Sequence, residues 1–136
     1  MKLKALLFLI VITTVVASCK KSTNVNLGGK FRLINSASFN DLTIVREYNI
    51  VVVPGHVLEY SVDSTFILVA QRPRDSVAGK ETMTLKKYEE AFRQSNFRQY
   101  WIVNKESGKI NGPLKKEKYL LMSKELGVPA SLKLKD

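Results

Sequence analysis

HVLEYSVDSTFILVAQRP, residues 56–73, is the stretch that decides the fold class. Its first half alternates, with Leu58, Tyr60 and Val62 on one side and Val57, Glu59 and Ser61 on the other. Period two is the mark of a half-buried strand. Asp63-Ser64 then makes a tight connection. TFILVAQ, residues 65–71, is apolar in both phases. A strand with no polar side is a central strand covered on both faces. The pair therefore reads as an antiparallel hairpin whose second strand lies in the middle of a sheet.

Working outward, the preceding chain is also β-rich. Residues 30–35 (KFRLIN) read as a strand, residues 42–46 (LTIVR) and 48–53 (YNIVVV) are rich in β-branched side chains, and Pro54-Gly55 punctuates them. On the far side, residues 72–82 (RPRDSVAGKET) form a polar stretch expected to be an exposed loop. Leu85, Tyr88 and Phe92 fall at i, i+3 and i+7 among charged residues, the pattern of a short amphipathic helix that Thr84 can cap. Residues 98–104 (RQYWIVN) read as another strand. A turn at Glu106-Ser107-Gly108-Lys109 leads to a short strand at Ile110, which Gly112-Pro113 is expected to stop. Residues 115–126 are helical in composition, and Gly127 then Pro129 end that helix in the usual order. The expected fold is α+β: an antiparallel sheet of about five to seven strands with two short helices packed on one face.

The N-terminus carries a different signal. Lys2 and Lys4 form a basic start, and residues 5–17 are apolar apart from Thr13 and Thr14. A membrane span needs roughly 20 apolar residues; this run has 13 and turns polar at Lys20. It reads as an export signal over residues 1–18. Val16-Ala17-Ser18-Cys19 resembles the lipobox of bacterial lipoproteins. That resemblance implies a diacylglyceryl thioether on Cys19, cleavage before it, and a further acyl chain such as palmitate on the new amine. Two or more chains hold a protein stably to a membrane, where one does not. Cys19 is also the only cysteine, so no internal disulfide can form, and lipidation removes a lone thiol from an exported chain. Lys20 lacks the aspartate associated with inner-membrane retention, which favours the outer membrane in a Gram-negative cell.

Residues 19–29 (the lipidated Cys, then KKSTNVNLGG) read as a flexible tether, and residues 30–136 as a single domain. Removing Lys2 and Lys4 takes Lys+Arg from 22 to 20 against 12 Asp+Glu, a formal charge of +8 on the mature chain. With no disulfide, stability must come from an apolar core.

Two stretches are similar to a family of small bacterial lipoproteins known as a domain of unknown function. One is residues 56–73; the other is residues 100–129, a Tyr-Trp-Ile-Val hairpin, then Gly-Pro-Leu and a helix ending in Leu-Gly-Val. The resemblance implies an envelope lipoprotein with an α+β domain. It implies no activity and no site residues.

Chemistry-bearing patterns are few. His56 is the one histidine and lies beside Pro54-Gly55, so it reads as a turn residue before it reads as a general base. No second histidine is present to join it in a zinc or nucleophile constellation, and no cofactor is implied. Glu89 and Glu90 are adjacent on a helix and diverge by roughly 100°, unlike the facing carboxylates of glycoside hydrolysis. Gly28-Gly29 lacks the lysine and hydroxyl spacing of a phosphate loop. Positive charge is the strongest clue. Arg72, Arg74 and Lys80 share one loop and are the candidate contacts for an anionic partner. Outside the cytoplasm that partner would be lipid headgroups or a wall polymer rather than nucleic acid. An inhibitor or immunity-type lipoprotein binding an envelope protein is the alternative, and a cryptic hydrolase a third.

Overall fold

The structure, a computed structural model, describes residues 22–135. The export signal, Cys19 and Lys20 lie outside the described residues.

Two antiparallel four-stranded sheets follow one another along the chain. The first is a meander of β1 (Asn24–Gly28), β2 (Phe31–Asn35), β3 (Leu42–Arg46) and β4 (Ile50–Val53). The second is a meander of β5 (Val57–Val62), β6 (Phe66–Gln71), β7 (Gln99–Asn104) and β8 (Ile110–Leu114). Helix α1 (Leu85–Gln94) lies between β6 and β7, and α2 (Lys116–Glu125) follows β8. The α+β class holds, but eight strands in two sheets replace the single sheet of the sequence reading.

Two apolar cores explain the layering. Leu27, Phe31, Leu33, Ile44, Val52 and Val53 from the first sheet meet Val57, Ile67, Val69, Trp101 and Val103 from the second. The opposite face of the second sheet carries Phe66, Leu68, Ala70, Tyr100 and Ile102. Tyr119 and Met122 of α2, with Val128, Leu132 and Leu134 of the tail, cover that face, and Tyr100 stacks on Tyr119 with ring centroids 4.9 Å apart. β6 is therefore buried on both sides, as its unbroken apolar run requires.

Four expectations are corrected. First, Asn24–Gly28, expected to lie in a flexible tether over residues 19–29, is a strand paired with β2. Its side chains are polar or exposed except Leu27, and backbone pairing does not need apolar side chains. Second, the alternation in β5 is shifted. A bulge between Val57 and Glu59 puts Val57 and Tyr60 on the inter-sheet core together. Glu59 then faces outward, where its carboxylate accepts the Lys135 N–H and holds the tail. Third, β8 runs through Gly112-Pro113 instead of stopping there. β8 is an edge strand, where a missing N–H costs no ladder bond. Gly112 is needed there: a Cβ at that position would come within 2.4 Å of the Trp101 ring. Fourth, only α2 covers a sheet face, while α1 docks at one end of the molecule.

The connections define two ends. At one end lie the start of β1, residues 36–41, residues 54–56, residues 72–98 with α1, and the start of α2. At the other lie the turns at Gly29, Glu47–Asn49, Ser64 and residues 105–109. Lys105 ties that second end together by donating to the Leu27 carbonyl, at 2.9 Å, and to the Asp63 carbonyl.

Candidate functional site

The densest polar cluster sits at the first end, around Arg74. The chain leaves β6 through Arg72 and Pro73 and makes a 3-10 turn at Arg74–Ser76. Tyr88 donates its hydroxyl to the Arg74 carbonyl at 2.7 Å and fixes that turn on α1. Thr84 caps α1 by accepting the Lys87 N–H.

The Arg74 guanidinium is engaged on all sides. Nε and Nη2 donate to the two oxygens of Asp41, at 2.7 and 2.6 Å, and Nη1 donates to Glu89 at 2.6 Å. Its plane lies over the Phe92 ring at 4.1 Å and over Phe39 at 4.4 Å. Planar two-pronged pairing with a carboxylate and stacking on aromatic faces are the particular capacities of arginine. These bonds, above all the one to Asp41, hold the guanidinium more strongly protonated than an ordinary arginine. Gly55 makes room for the carboxylate: a Cβ there would lie 2.5 Å from the Asp41 Cβ.

His56 borders the same cluster. Its Nδ1 accepts the Leu42 N–H at 3.3 Å and lies 3.4 Å from Asp41 Oδ1. Burial pushes its pKa below the usual histidine value. Asp41 opposes that shift, and Arg74 and Arg72 reinforce it. The neutral ring, with Nδ1 as acceptor, is thus the form the surroundings favour. Gln71 completes the floor, taking the Trp101 indole N–H at 2.8 Å and donating to the Pro54 carbonyl at 2.8 Å. An open groove of about 470 Å³ runs beside the cluster, with Phe39, Thr43, Val51 and Gln71 among its walls.

The three candidate cations separate. Arg74 is turned inward, its side chain 20% exposed. Arg72 donates Nη1 to the Phe92 and Arg93 carbonyls at the end of α1, and its Nε is buried without a partner among the described residues. Lys80 is exposed. The stretch at residues 72–82 is therefore an exposed loop only in part: Arg72 to Arg74 are half-buried and Val77 is buried. Asp41, Glu89 and Phe39 are partners that local reading misses, because they lie 33, 15 and 35 residues from Arg74 and share no motif with it.

Among the described residues no group of three His, Cys, Asp or Glu side chains is placed to hold a metal ion. No described helix is long and apolar enough to cross a membrane.

Comparison with known families matches residues 29–136 to one family model, described as a protein of unknown function (DUF3997). The chain belongs to this uncharacterised family. The match contains both stretches on which the sequence resemblance rests and the whole Arg74 cluster, so the cluster is part of the family domain. No curated protein and no solved structure matches the chain.

Proposed function

We propose that the chain is the precursor of a bacterial envelope lipoprotein, and that its domain is a non-enzymatic binding or structural module held on the membrane by lipid on Cys19. Val16 to Cys19 supply the lipobox, and Lys20 lacks the aspartate that marks inner-membrane retention, which favours the outer membrane where the cell has one. The observation that carries the reading is the division of charge at the first end. Arg74 pairs internally with Asp41 and Glu89, and His56 accepts a backbone N–H, so these groups serve the fold. Lys80, Lys86 and Lys87 face solvent and are available to anionic envelope material.

The anchor is tested by growth with labelled fatty acid. The wild-type chain incorporates label and Cys19→Ser does not; continued labelling of the variant overturns the anchor. The binding role is tested by capture from envelope extract. Raising salt from about 0.15 to about 1 M shortens the screening length from ~8 to ~3 Å, and capture of anionic lipid or wall polymer should fall accordingly.

A second reading, an inhibitor or immunity-type protein that binds a protein partner, draws on the opposite end. Tyr48 is 91% exposed at the β3–β4 turn, and Ile50 is exposed at the start of the edge strand β4. Aromatic and apolar groups on an open strand edge suit strand addition by a partner. Salt-resistant capture of one protein would favour this reading.

A further inference from the structure

We propose that the end of the domain bearing the Arg74 cluster lies against the bilayer that holds the lipid, with anionic headgroups as its partner. This rests on the reading of Cys19 as the lipidated residue.

Tether length comes first. β1 begins at Asn24, so 24 − 19 = 5 residue steps separate the anchor from the sheet. At ~3.5 Å per residue the fully extended reach is roughly 17 Å. The Thr23 N–H also donates to Asn35 Oδ1 at 2.6 Å, which fastens the chain to the end of β2 just before β1 starts. A strand of this length spans about 17–20 Å, so the leash is no longer than the domain's own strands. The end where β1 starts must stay near the membrane.

The same end carries the groups that a membrane surface would take. Leu85 is 69%, Phe39 50% and Phe97 49% exposed. Phe39 and Leu85 line one shallow groove with Lys80, Met83 and Tyr88, so apolar and cationic side chains are interleaved. Across residues 73–98 the exposed cations are Lys80, Lys86, Lys87, Arg93 and Arg98, against exposed Asp75, Glu81 and Glu90. Asp41 and Glu89 are paired with Arg74, one cation against two carboxylates, and Arg72 at the same end supplies the second cation, so this inner group sums to zero. The Arg74 cluster thus leaves a net positive, partly apolar surface beside the anchor. Apolar insertion combined with lysine attraction to anionic lipid is the physics of interfacial binding.

Acylation of Cys19 leaves no thiol in the mature protein, so an introduced cysteine can be labelled alone. The experiment places a polarity-sensitive fluorophore at Leu85→Cys or, on the distal turn, at Ser107→Cys in the full lipidated protein. Each is bound to phosphatidylcholine vesicles with or without phosphatidylglycerol, carrying spin-labelled lipid as quencher. The expected result is quenching and a blue shift at position 85 in anionic vesicles, with position 107 unchanged. Lys86→Gln with Lys87→Gln should lower the docked-to-undocked ratio by about five-fold per lysine. Equal quenching at both positions, or none at 85 while the protein stays on the vesicles, overturns the orientation. A response at 85 to a soluble polyanion but not to vesicles also overturns it, in favour of a wall polymer. Failure of the anchor reading looks different: the protein lacks the acyl mass, labels at Cys19 and leaves the vesicles.

Discussion

Arg74 holds together parts of the chain that no local signal connects. Asp41, with its side chain 8% exposed, has two oxygens filled by the same guanidinium. Replacing Arg74 with Met would keep the volume and strand that carboxylate. Breaking one side of a buried pair costs about 3–5 kcal/mol. Arg74→Met should therefore lose about 3 kcal/mol in urea unfolding followed by the emission of Trp101, the single tryptophan. Adding Asp41→Asn should recover part of the loss, and additive losses would argue against the pairing. His56 gives a second residue-scale expectation. Its pKa is lowered in the folded chain by burial, against about 6.5 unfolded. The folded state then binds fewer protons, so the stability tied to the neutral ring is complete above pH ~6.5 and is lost as pH falls through the lower folded value. His56→Asn offers the Leu42 N–H an oxygen in place of Nδ1 and should flatten stability between pH 7 and pH 5. An unchanged slope in that window would assign the pH dependence to the carboxylates.

At the scale of elements, the informative strand is β1. Only Leu27 of its side chains is buried, yet Leu27 enters the inter-sheet core and its carbonyl accepts the Lys105 ammonium. A chain beginning at Lys30 loses both contacts and exposes the edge of β2. Fully burying a leucine is worth about 1.5–3 kcal/mol. The Lys30 start should thus be less stable than a Ser22 start by at least about 2 kcal/mol in the same urea assay. Equal stability would return residues 24–28 to the tether. The two helices differ: α1 is amphipathic, whereas α2 leaves Leu120 and Leu121 exposed. α2 lies on the sheet through Tyr119 and Met122, whereas α1 closes one end, stacking Phe92 under the Arg74 guanidinium.

For the molecule as a whole, layer order and polarity follow from the connections. Each sheet is a meander, so a tight link at Pro54-Gly55 places the end of β4 and the start of β5 together. That one link brings the N-terminal start of β1, the Phe39 loop and the α1 region to a common end, and leaves Tyr48 and Ser107 at the other. Were the chain held by lipid on Cys19, as proposed, it would present different chemistry to the membrane and away from it: leucine, phenylalanine and lysine at the end where β1 starts, and an open strand edge with Tyr48 distally. The two functional readings are therefore assigned to separate ends, and variants at Leu85 and Tyr48 can test them independently.

The sequence by itself determined the elements with a strong local period. TFILVAQ announced a strand buried on both faces, the spacing of Leu85, Tyr88 and Phe92 with a Thr84 cap marked α1, and Gly127 with Pro129 ended α2 where expected. It also carried the family resemblance at residues 56–73 and 100–129, which the family match contains. Tertiary structure alone decided the rest. β1 hid in a polar stretch because a strand edge is held by backbone groups that every residue has. The second sheet's bulge moved Val57 and Tyr60 onto one face, which no period-two count can foresee. Arg74 passed for a surface cation because its partners arrive from two other segments. A charged side chain is exposed or internal according to what packs beside it, and that neighbour is chosen by the fold rather than by the adjacent residues.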